Sequence, residues 1–204
     1  MIIPIVAYGD PVLKKLAGDI SEEYPNLDTL IENMFETMYE AAGVGLAAPQ
    51  IGRDIRLFIA DGSPFADEDE DEDGNPIEPD LRAVGIENFK QVFINPKIIE
   101  ESGEEWSFKE GCLSIPKVRE EVFRKEKIRI TYYDENWDFK DEYYDGYAAR
   151  IIQHEYDHIE GVLFTDHLSS IKKKLIASKL QNISKGQVKV DYRMKFPAIK
   201  KGRK

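Results

Sequence analysis

The sequence predicts an α+β fold with antiparallel or mixed β-sheets packed around a central helix, together with an N-terminal helix and a C-terminal amphipathic helix. Two observations support this fold class. Apolar residues recur at three- and four-residue spacing in three segments, at 25–43, 145–161 and 169–183. Between the first two segments, β-branched and aromatic runs follow one another with turn residues between them. Consecutive strands of this kind are typical of α+β proteins.

The N-terminal half predicts one helix and one strand. The helix PNLDTLIENMFETMYEAAG (25–43) has an apolar face and a glycine at its end, where helices often stop. A glycine-rich loop, GVGLAAPQIG (43–52), follows. The segment IRLFIA (55–60) then has the β-branched and aromatic composition of a strand.

The C-terminal half predicts three strands and two helices. The strands are QVFINPKII (91–99), EEVFRKEKIRITYYD (120–134) and FKDEYYD (139–145). In the central helix, 145–161, Asp145 is a suitable N-cap and Gly161 a suitable end. The segment SSIKKKLIASKLQNI (169–183) predicts the amphipathic helix.

Composition indicates one globular domain spanning residues 1–204, since 42% of residues are hydrophobic and 11% are aromatic. A net charge of −11 argues against general binding to nucleic acids or membrane surfaces, and no apolar run approaches the roughly 20 residues of a membrane span. Cys112 is the single cysteine, so no internal disulfide can form. The opening residues lack the features of a signal peptide, and we expect a reducing, cytoplasmic location.

The charges are unevenly distributed along the chain. Residues 67–73 read DEDEDED, within a polar stretch at 61–90 that we interpret as an acidic surface insertion, with a cation or partner site as the alternative. From Ile171 onward there are twelve Lys or Arg residues and one Asp, and 185–204 forms a basic tail. The basic segment is either a solvated helix with a loose end or a surface that attracts ribosomal RNA.

The stretch QHEYDH (153–158) predicts a metal site. His154 and His158 are four residues apart, so on a helix both rings lie on one face, with Glu155 beside them. Two histidines and a carboxylate in the order HExxH are typical of two metal ligands and a general base. A catalytic site needs a third protein ligand and one open position.

The third ligand is ambiguous from the residues alone. In metzincin proteases it is a histidine six residues after the second His, but Phe164 occupies that position here. Three downstream residues stay candidates: Glu160, Asp166 and His167. Upstream, Cys112 in EGCLSIP (110–116) is either a thiolate ligand or a small buried apolar residue.

Three segments, GVGLAAPQ (43–50), EGCLS (110–114) and QHEYDH (153–158), together resemble the three signature motifs of peptide deformylases, in the same order. The resemblance covers most of residues 1–170 and thins over 61–90 and the basic tail. It implies a hydrolase that removes the N-formyl group from the initiator methionine of new polypeptides. It further implies that a metal-bound hydroxide attacks the formyl carbon and that formate is released.

The resemblance also implies roles for individual residues. The metal ligands would be Cys112, His154 and His158. Glu155 would be the general base and acid, while the Gln50 side chain and the Leu113 N–H would donate to the formyl oxygen. Substrate contacts would come from Val44, Gly45, Gly111 and Arg119. The expected metal is Fe²⁺, which Zn²⁺ or Ni²⁺ could replace in purified protein.

The methionine side chain requires an apolar pocket, which we expect to be lined by Val44, Tyr147 and Ile151. Arg150 either borders that pocket or forms a surface salt bridge. Two other functions fit the HExxH string: a zinc endopeptidase with a downstream third ligand, and a binding module whose metal is structural, with four ligands and no water. Neither a membrane nor a specific nucleic acid is expected as a partner.

Overall fold

A computed structural model describes residues 1–65 and 80–197 of the chain. Its mixture of helices with an antiparallel sheet confirms the predicted α+β class. The three helices are α1 (Leu27–Glu40), α2 (Gly146–Ile159) and α3 (Ser170–Ser184). Their bounds agree with the predicted segments to within three residues.

The helix ends agree with the sequence signals in all but two details. Helix α1 ends at Glu40, and the left-handed residue that follows it is Ala42, with φ +52°, instead of the expected Gly43. Asp145 occupies the N-cap position of α2, but its side chain makes no capping hydrogen bond, so the expected capping contact is wrong. In α3, by contrast, the Ser169 side chain accepts from the N–H of Lys172. Gly161 follows α2 with φ +71°, and a Cβ there would lie 2.8 Å from the carbonyl carbon of Lys14. The helix therefore ends where only a glycine fits.

Five strands form one antiparallel sheet in the order β2–β3–β4–β5–β6, and two short strands form a separate parallel pair, β1 with β7. The strands are β1 (Ile5–Val6), β2 (Gly45–Ala47), β3 (Leu57–Asp61), β4 (Lys90–Cys112), β5 (Ile115–Tyr133), β6 (Phe139–Asp145) and β7 (Met194–Lys195). The parallel pair joins the two ends of the described chain. It brings the C-terminal segment back to the body of the protein.

Strands β4 and β5 are longer than the sequence predicts. They form one hairpin whose pairing runs from Ile94 opposite Tyr133 to Cys112 opposite Ile115, with several register shifts. The predicted strand ended at residue 99, and five of the thirteen residues that follow are Glu, which is uncommon in strands. The hairpin carries Cys112 to its tip.

Helix α2 is the centre of the molecule. Its apolar residues pack in one cluster with Phe58, Phe93 and Tyr132 of the sheet. Helix α1 covers a second cluster with β2 and β3, and α3 covers a third together with β5 and residues 163–168. Within residues 1–65 and 80–197, no helix combines the length and the apolar character that a membrane span requires.

Residues 66–79 of the predicted acidic insertion, including DEDEDED at 67–73, lie outside the described residues, as does the end of the basic tail from residue 198. The segment that follows the acidic run forms two short 3-10 turns, Leu81–Ala83 and Ile86–Asn88. The first of these turns packs on the N-terminus of α2, where a Cβ on Gly146 would clash with the carbonyl of Arg82.

Candidate metal centre

Three side chains from two distant parts of the sequence meet in the interior. One donor atom each from Cys112, His154 and His158 lies within 4.8 Å of the others. Cys112 is at the tip of the β4–β5 hairpin, and the histidines are one turn apart on α2, with ring centroids 5.1 Å apart. The Sγ of Cys112 is 3.3 Å from Nε2 of His158. The sequence alone left the third ligand open, and the fold places Cys112 beside both rings.

Glu110 sets the orientation of the His154 ring. Its carboxylate lies 2.9 Å from Nδ1 of His154, which directs Nε2 toward the cluster. Two arginines in turn hold Glu110: Arg124 makes two hydrogen bonds to it, of 2.7 and 3.0 Å, and Arg150 makes one of 2.9 Å. All of these charged groups are buried. Burial would raise the pKa of Glu110, but the hydrogen bonds and charges of His154 and Arg124 outweigh burial and keep that pKa far below its usual range.

The thiol of Cys112 is prepared to ionise. Burial alone would raise its pKa, but the charge and hydrogen bonds of His158 and His154 outweigh burial and lower the pKa to about 5. The pKa of His154 is raised well above its usual value, because its contacts with Cys112 and Glu110 outweigh the effect of burial. A cation that binds to a thiolate and two imidazoles displaces the protons that these groups would otherwise hold.

Glu155 lies beside the cluster without belonging to it. Its side chain is buried, and no hydrogen-bond partner of its Oε2 lies within the part of the chain that the structure describes. Burial raises its pKa to about 7. A buried carboxyl group with a pKa near neutrality can take up and return a proton.

Gln50 approaches the cluster from the 3-10 turn Ala48–Ile51, which follows β2. Its Oε1 accepts the N–H of Ala47 at 2.8 Å, so its Nε2 must face the other way. Nε2 lies 3.4 Å from Sγ of Cys112 and 3.5 Å from Oγ of Ser114. The amide is thus fixed as a donor directed into the site.

The donor set fits a divalent transition-metal ion. One thiolate and two imidazoles suit Zn²⁺, Fe²⁺, Co²⁺ and Ni²⁺. The Glu110–His154 contact is the outer-shell bond that ligating histidines usually make. The cluster found among the described residues supplies three protein donors, which leaves one position of a four-coordinate ion open, as catalytic sites do.

Comparison with known proteins identifies the family. The family model described as polypeptide deformylase matches residues 2–174. The chain belongs to the polypeptide deformylase family. It is therefore an enzyme, a hydrolase, and its family is metal-dependent.

Individual deformylases are similar to the chain over most of their length. Peptide deformylase from Christiangramia forsetii is 62% identical over 204 residues, and that from Flavobacterium johnsoniae is 58% identical over 203, each match covering 100% of both chains. The solved deformylase of Thermotoga maritima is 38% identical with a TM-score of 0.68, covering 83% of this chain and 99% of its own. That of Legionella pneumophila is 35% identical with a TM-score of 0.72, covering 92% and 98%.

The four residues expected to contact substrate lie in two places: Val44 and Gly45 at the start of β2, and Gly111 and Arg119 on the β4–β5 hairpin. Val44, Tyr147 and Ile151 belong to the same hydrophobic cluster around α2, and the apolar pocket expected beside them stays a prediction. Gly45 is buried in β2 against Glu155: a Cβ there would lie 2.7 Å from Cδ of Glu155. Close approach to the carboxyl group of Glu155 is therefore a reason for glycine at position 45 that the sequence did not reveal.

Gly111 and Arg119 are opposite each other on β4 and β5, one step from the hairpin tip, and both are exposed. A Cβ on Gly111 would lie 3.1 Å from Cγ of Arg119. Leu113 is in the turn between the strands, and its side chain contacts α1 and Gly43. The turn and the exposed pair form a continuous edge beside Cys112.

The three downstream ligand candidates form ion pairs or hydrogen bonds with other side chains. Glu160 pairs with Arg56 at 2.7 Å, and Asp166 pairs with Lys14 and accepts the N–H of Leu163. His167 contacts Asp157 at 2.8 Å. Phe164, which replaces the third histidine of metzincins, is fully buried, and its ring stacks on that of His154 at 6.1 Å. The three candidates therefore lie outside the three-residue cluster found among the described residues.

Sequence reasoning missed the buried ion network and one C-terminal contact. Arg150 was expected at the pocket or in a surface salt bridge, but it is buried, bonded to Glu110 and stacked on Trp106, with its guanidinium carbon 4.3 Å from the ring centroid. Glu110 precedes Cys112 by two residues on β4, and side chains at that spacing lie on the same face of a strand. This spacing could have indicated that Glu110 is close to the candidate ligands. No sequence signal indicated Tyr192, whose hydroxyl donates to the Leu113 carbonyl at 2.7 Å.

Proposed function

We propose that the chain removes the N-formyl group from the initiator methionine of newly made polypeptides and releases formate. Membership of the deformylase family supports this activity. The observation that carries the residue assignments is the convergence of Cys112, His154 and His158 beside the buried carboxyl group of Glu155. In this proposal the three donors are the metal ligands. A divalent cation bound there would supply Lewis acidity toward water and the formyl oxygen.

Glu155 is the general base and acid in this proposal. Its pKa of about 7 matches a group that takes a proton from water and passes it to the leaving amine near neutral pH. Burial both raises that pKa and excludes bulk water from the carboxyl group. Among the described residues, no protein group forms a hydrogen bond with its Oε2.

Gln50 and Leu113 stabilise the negative charge that develops on the formyl oxygen. The Ala47 N–H fixes the Gln50 amide so that no rotation is needed before Nε2 donates. A fixed donor of this kind typically contributes about 3–4 kcal/mol of transition-state stabilisation. The backbone N–H of Leu113 is the second donor, at the hairpin tip next to Cys112.

The substrate peptide extends along β2, an edge strand of the sheet, where main-chain pairing is available. Val44 and Gly45 contact it on one side, and Gly111 and Arg119 on the other. The methionine side chain occupies an apolar pocket beside Val44, Tyr147 and Ile151. Arg150 supports this wall from the buried side instead of facing the substrate.

Formate release tests the proposal directly. Purified protein should release formate from a formyl-Met peptide, should lose that activity in the presence of a chelator, and should leave the matched acetyl-Met peptide intact. Cleavage of internal peptide bonds that persists in Cys112→Ala would instead support the endopeptidase alternative.

Glu155→Ala should retain metal and lose turnover. Loss of the metal in that variant would show that Glu155 is a ligand.

The physiological metal is Fe²⁺ in this proposal, with Zn²⁺ or Ni²⁺ as replacements during purification. The ligand set itself accepts all three ions. Metal analysis of protein purified without oxygen should find iron together with full activity. Zinc alone with full activity would contradict the assignment.

The basic C-terminal segment is a proposed ribosome contact in the cytoplasm. On α3, Ile171 and Leu175 are 73% and 72% exposed on one face, with Lys174 and Lys179 flanking them. A double reversal, Lys174→Glu with Lys179→Glu, should weaken cosedimentation with ribosomes at low salt without changing formate release from a peptide. Unchanged cosedimentation would leave α3 as a solvated helix.

A further inference from the structure

The C-terminal segment reaches the proposed oxyanion donor. Tyr192 lies 18 residues beyond position 174, where the family match ends, yet its hydroxyl donates to the carbonyl of Leu113 at 2.7 Å. The Tyr192 ring is partly buried against the cluster that contains α1 and the Leu113 side chain. The contact is therefore part of the packed interior next to Cys112, instead of a chance touch between surface groups.

The same segment holds the turn by a second route. The N–H of Ile5 donates to the carbonyl of Arg193 at 2.9 Å, and the N–H of Ala7 donates to the carbonyl of Lys195 at 2.8 Å. These two hydrogen bonds hold β1 against β7. The next residue, Tyr8, then donates its N–H to the carbonyl of Ser114 at 2.8 Å. Both carbonyls of the Leu113–Ser114 turn are thus bonded, one directly by Tyr192 and the other through β1.

These contacts constrain the backbone of the Leu113–Ser114 turn, which carries the proposed oxyanion donor. Cys112 pairs with Ile115, so Leu113 and Ser114 alone make the turn. The carbonyl of Leu113 lies in the peptide plane that follows this residue, and the N–H lies in the plane before it. Holding the first plane limits the φ and ψ angles of Leu113, and therefore the direction of its N–H. A donor displaced by about 1 Å can lose much of its effect on a reaction.

We propose that Tyr192 is a positioning residue for deformylation: its hydroxyl holds the Leu113–Ser114 turn so that the Leu113 N–H is directed at the formyl oxygen. This inference rests on the proposed function. Tyr192 touches neither substrate nor metal ligand in this account and acts through Leu113. It assigns a role in catalysis to a segment outside the family match.

Tyr192→Phe is the decisive variant, because it removes the hydroxyl and keeps the packed ring. Tyr132→Phe is its control: the Tyr132 hydroxyl also makes a 2.7 Å hydrogen bond, to Glu142, and lies 2.9 Å from the Tyr144 hydroxyl, both partners being on the edge strand β6. Formate release should give a kcat about tenfold lower in Tyr192→Phe, with KM within about twofold of wild type. The control should keep the wild-type kcat, even if both variants lose similar thermal stability.

Hydrogen exchange supplies a readout that is independent of activity. In zinc-loaded protein, peptides covering residues 111–116 should exchange faster in Tyr192→Phe than in wild type or in Tyr132→Phe. A wild-type kcat in Tyr192→Phe, or an equal fall in kcat in the control, would overturn the proposal. If wild type released no formate, the proposed function would fail separately. Faster exchange in Tyr192→Phe would then still support the holding contact, and unchanged exchange would refute it.

Discussion

At the scale of single residues, the contact between Gly45 and Glu155 links the first motif to the third. Glu155 lies so close to β2 that a side chain on Gly45 would overlap it. The HExxH spacing predicted that Glu155 adjoins the metal ligands. It could not predict which backbone covers the carboxyl group, because that depends on how β2 packs against α2.

Gly45→Ala should displace the carboxyl group of Glu155. The added Cβ would lie 2.7 Å from Cδ and 2.8 Å from Cγ of Glu155, distances that real Cβ atoms do not show. We expect kcat to fall by roughly 10–100-fold while the metal content stays that of wild type. Gly18→Ala is the control, because the nearest atom to its Cβ is 3.9 Å away. A normal kcat in Gly45→Ala would show that the exact position of Glu155 is unimportant.

Gln50→Leu should remove a donor without removing bulk. The side chain is buried and its amide is fixed by the Ala47 N–H, so the substitution mainly removes stabilisation of the transition state. We expect kcat to decrease by roughly 10²–10³-fold with little change in KM, measured by formate release. Near-normal turnover would rule out the oxyanion role of Gln50.

At the scale of elements, prediction from sequence succeeded where one element carries its own pattern. The helices α1 and α2 have clear apolar faces, and β6 coincides with the predicted segment 139–145. Strand β4 continues thirteen residues past the predicted end at 99, because its charged residues pair with β5 through the backbone. Ladder hydrogen bonds do not depend on side-chain polarity, so the sequence pattern underestimates such strands.

The turn between β5 and β6 depends on the charge of Asp134. One carboxylate oxygen accepts the N–H groups of Asn136 and Asp138, and the other contacts Lys140 at 3.0 Å. Burial would raise the pKa of Asp134, but the Lys140 contact and the two N–H bonds outweigh it and lower that pKa. A depressed pKa means that the charge stabilises the fold above about pH 4, its unfolded pKa, and that this contribution is lost as the pH falls.

Asp134→Asn should therefore be destabilising at pH 7 and nearly neutral in acid. It keeps an acceptor for the two N–H groups and removes only the charge, so we expect a loss of about 0.5–1 kcal/mol in the free energy of unfolding at pH 7. Urea unfolding of metal-free protein at pH 7 and pH 3 measures the difference, with Glu135→Gln as the control in the same turn. A difference that persists unchanged at pH 3 would contradict the electrostatic explanation.

At the scale of the whole molecule, the candidate metal centre depends on contacts between elements that are distant in sequence. Cys112 and His154 are 42 residues apart in sequence. Spacing along α2 predicted that the two histidines share a face, but only the family resemblance indicated that Cys112 joins them. The buried ion network around Glu110 escaped prediction because Arg124 and Arg150 resemble ordinary surface arginines until the hairpin and α2 enclose them.

The central claim is that Cys112, His154 and His158 bind one divalent cation, and X-ray absorption spectroscopy of zinc-loaded protein tests it most directly. The spectrum should require one sulfur at about 2.3 Å and two imidazole nitrogens at about 2.0–2.1 Å. In Cys112→Ser the sulfur contribution should disappear. A wild-type spectrum explained by nitrogen and oxygen ligands alone, or one unchanged in Cys112→Ser, would contradict the account.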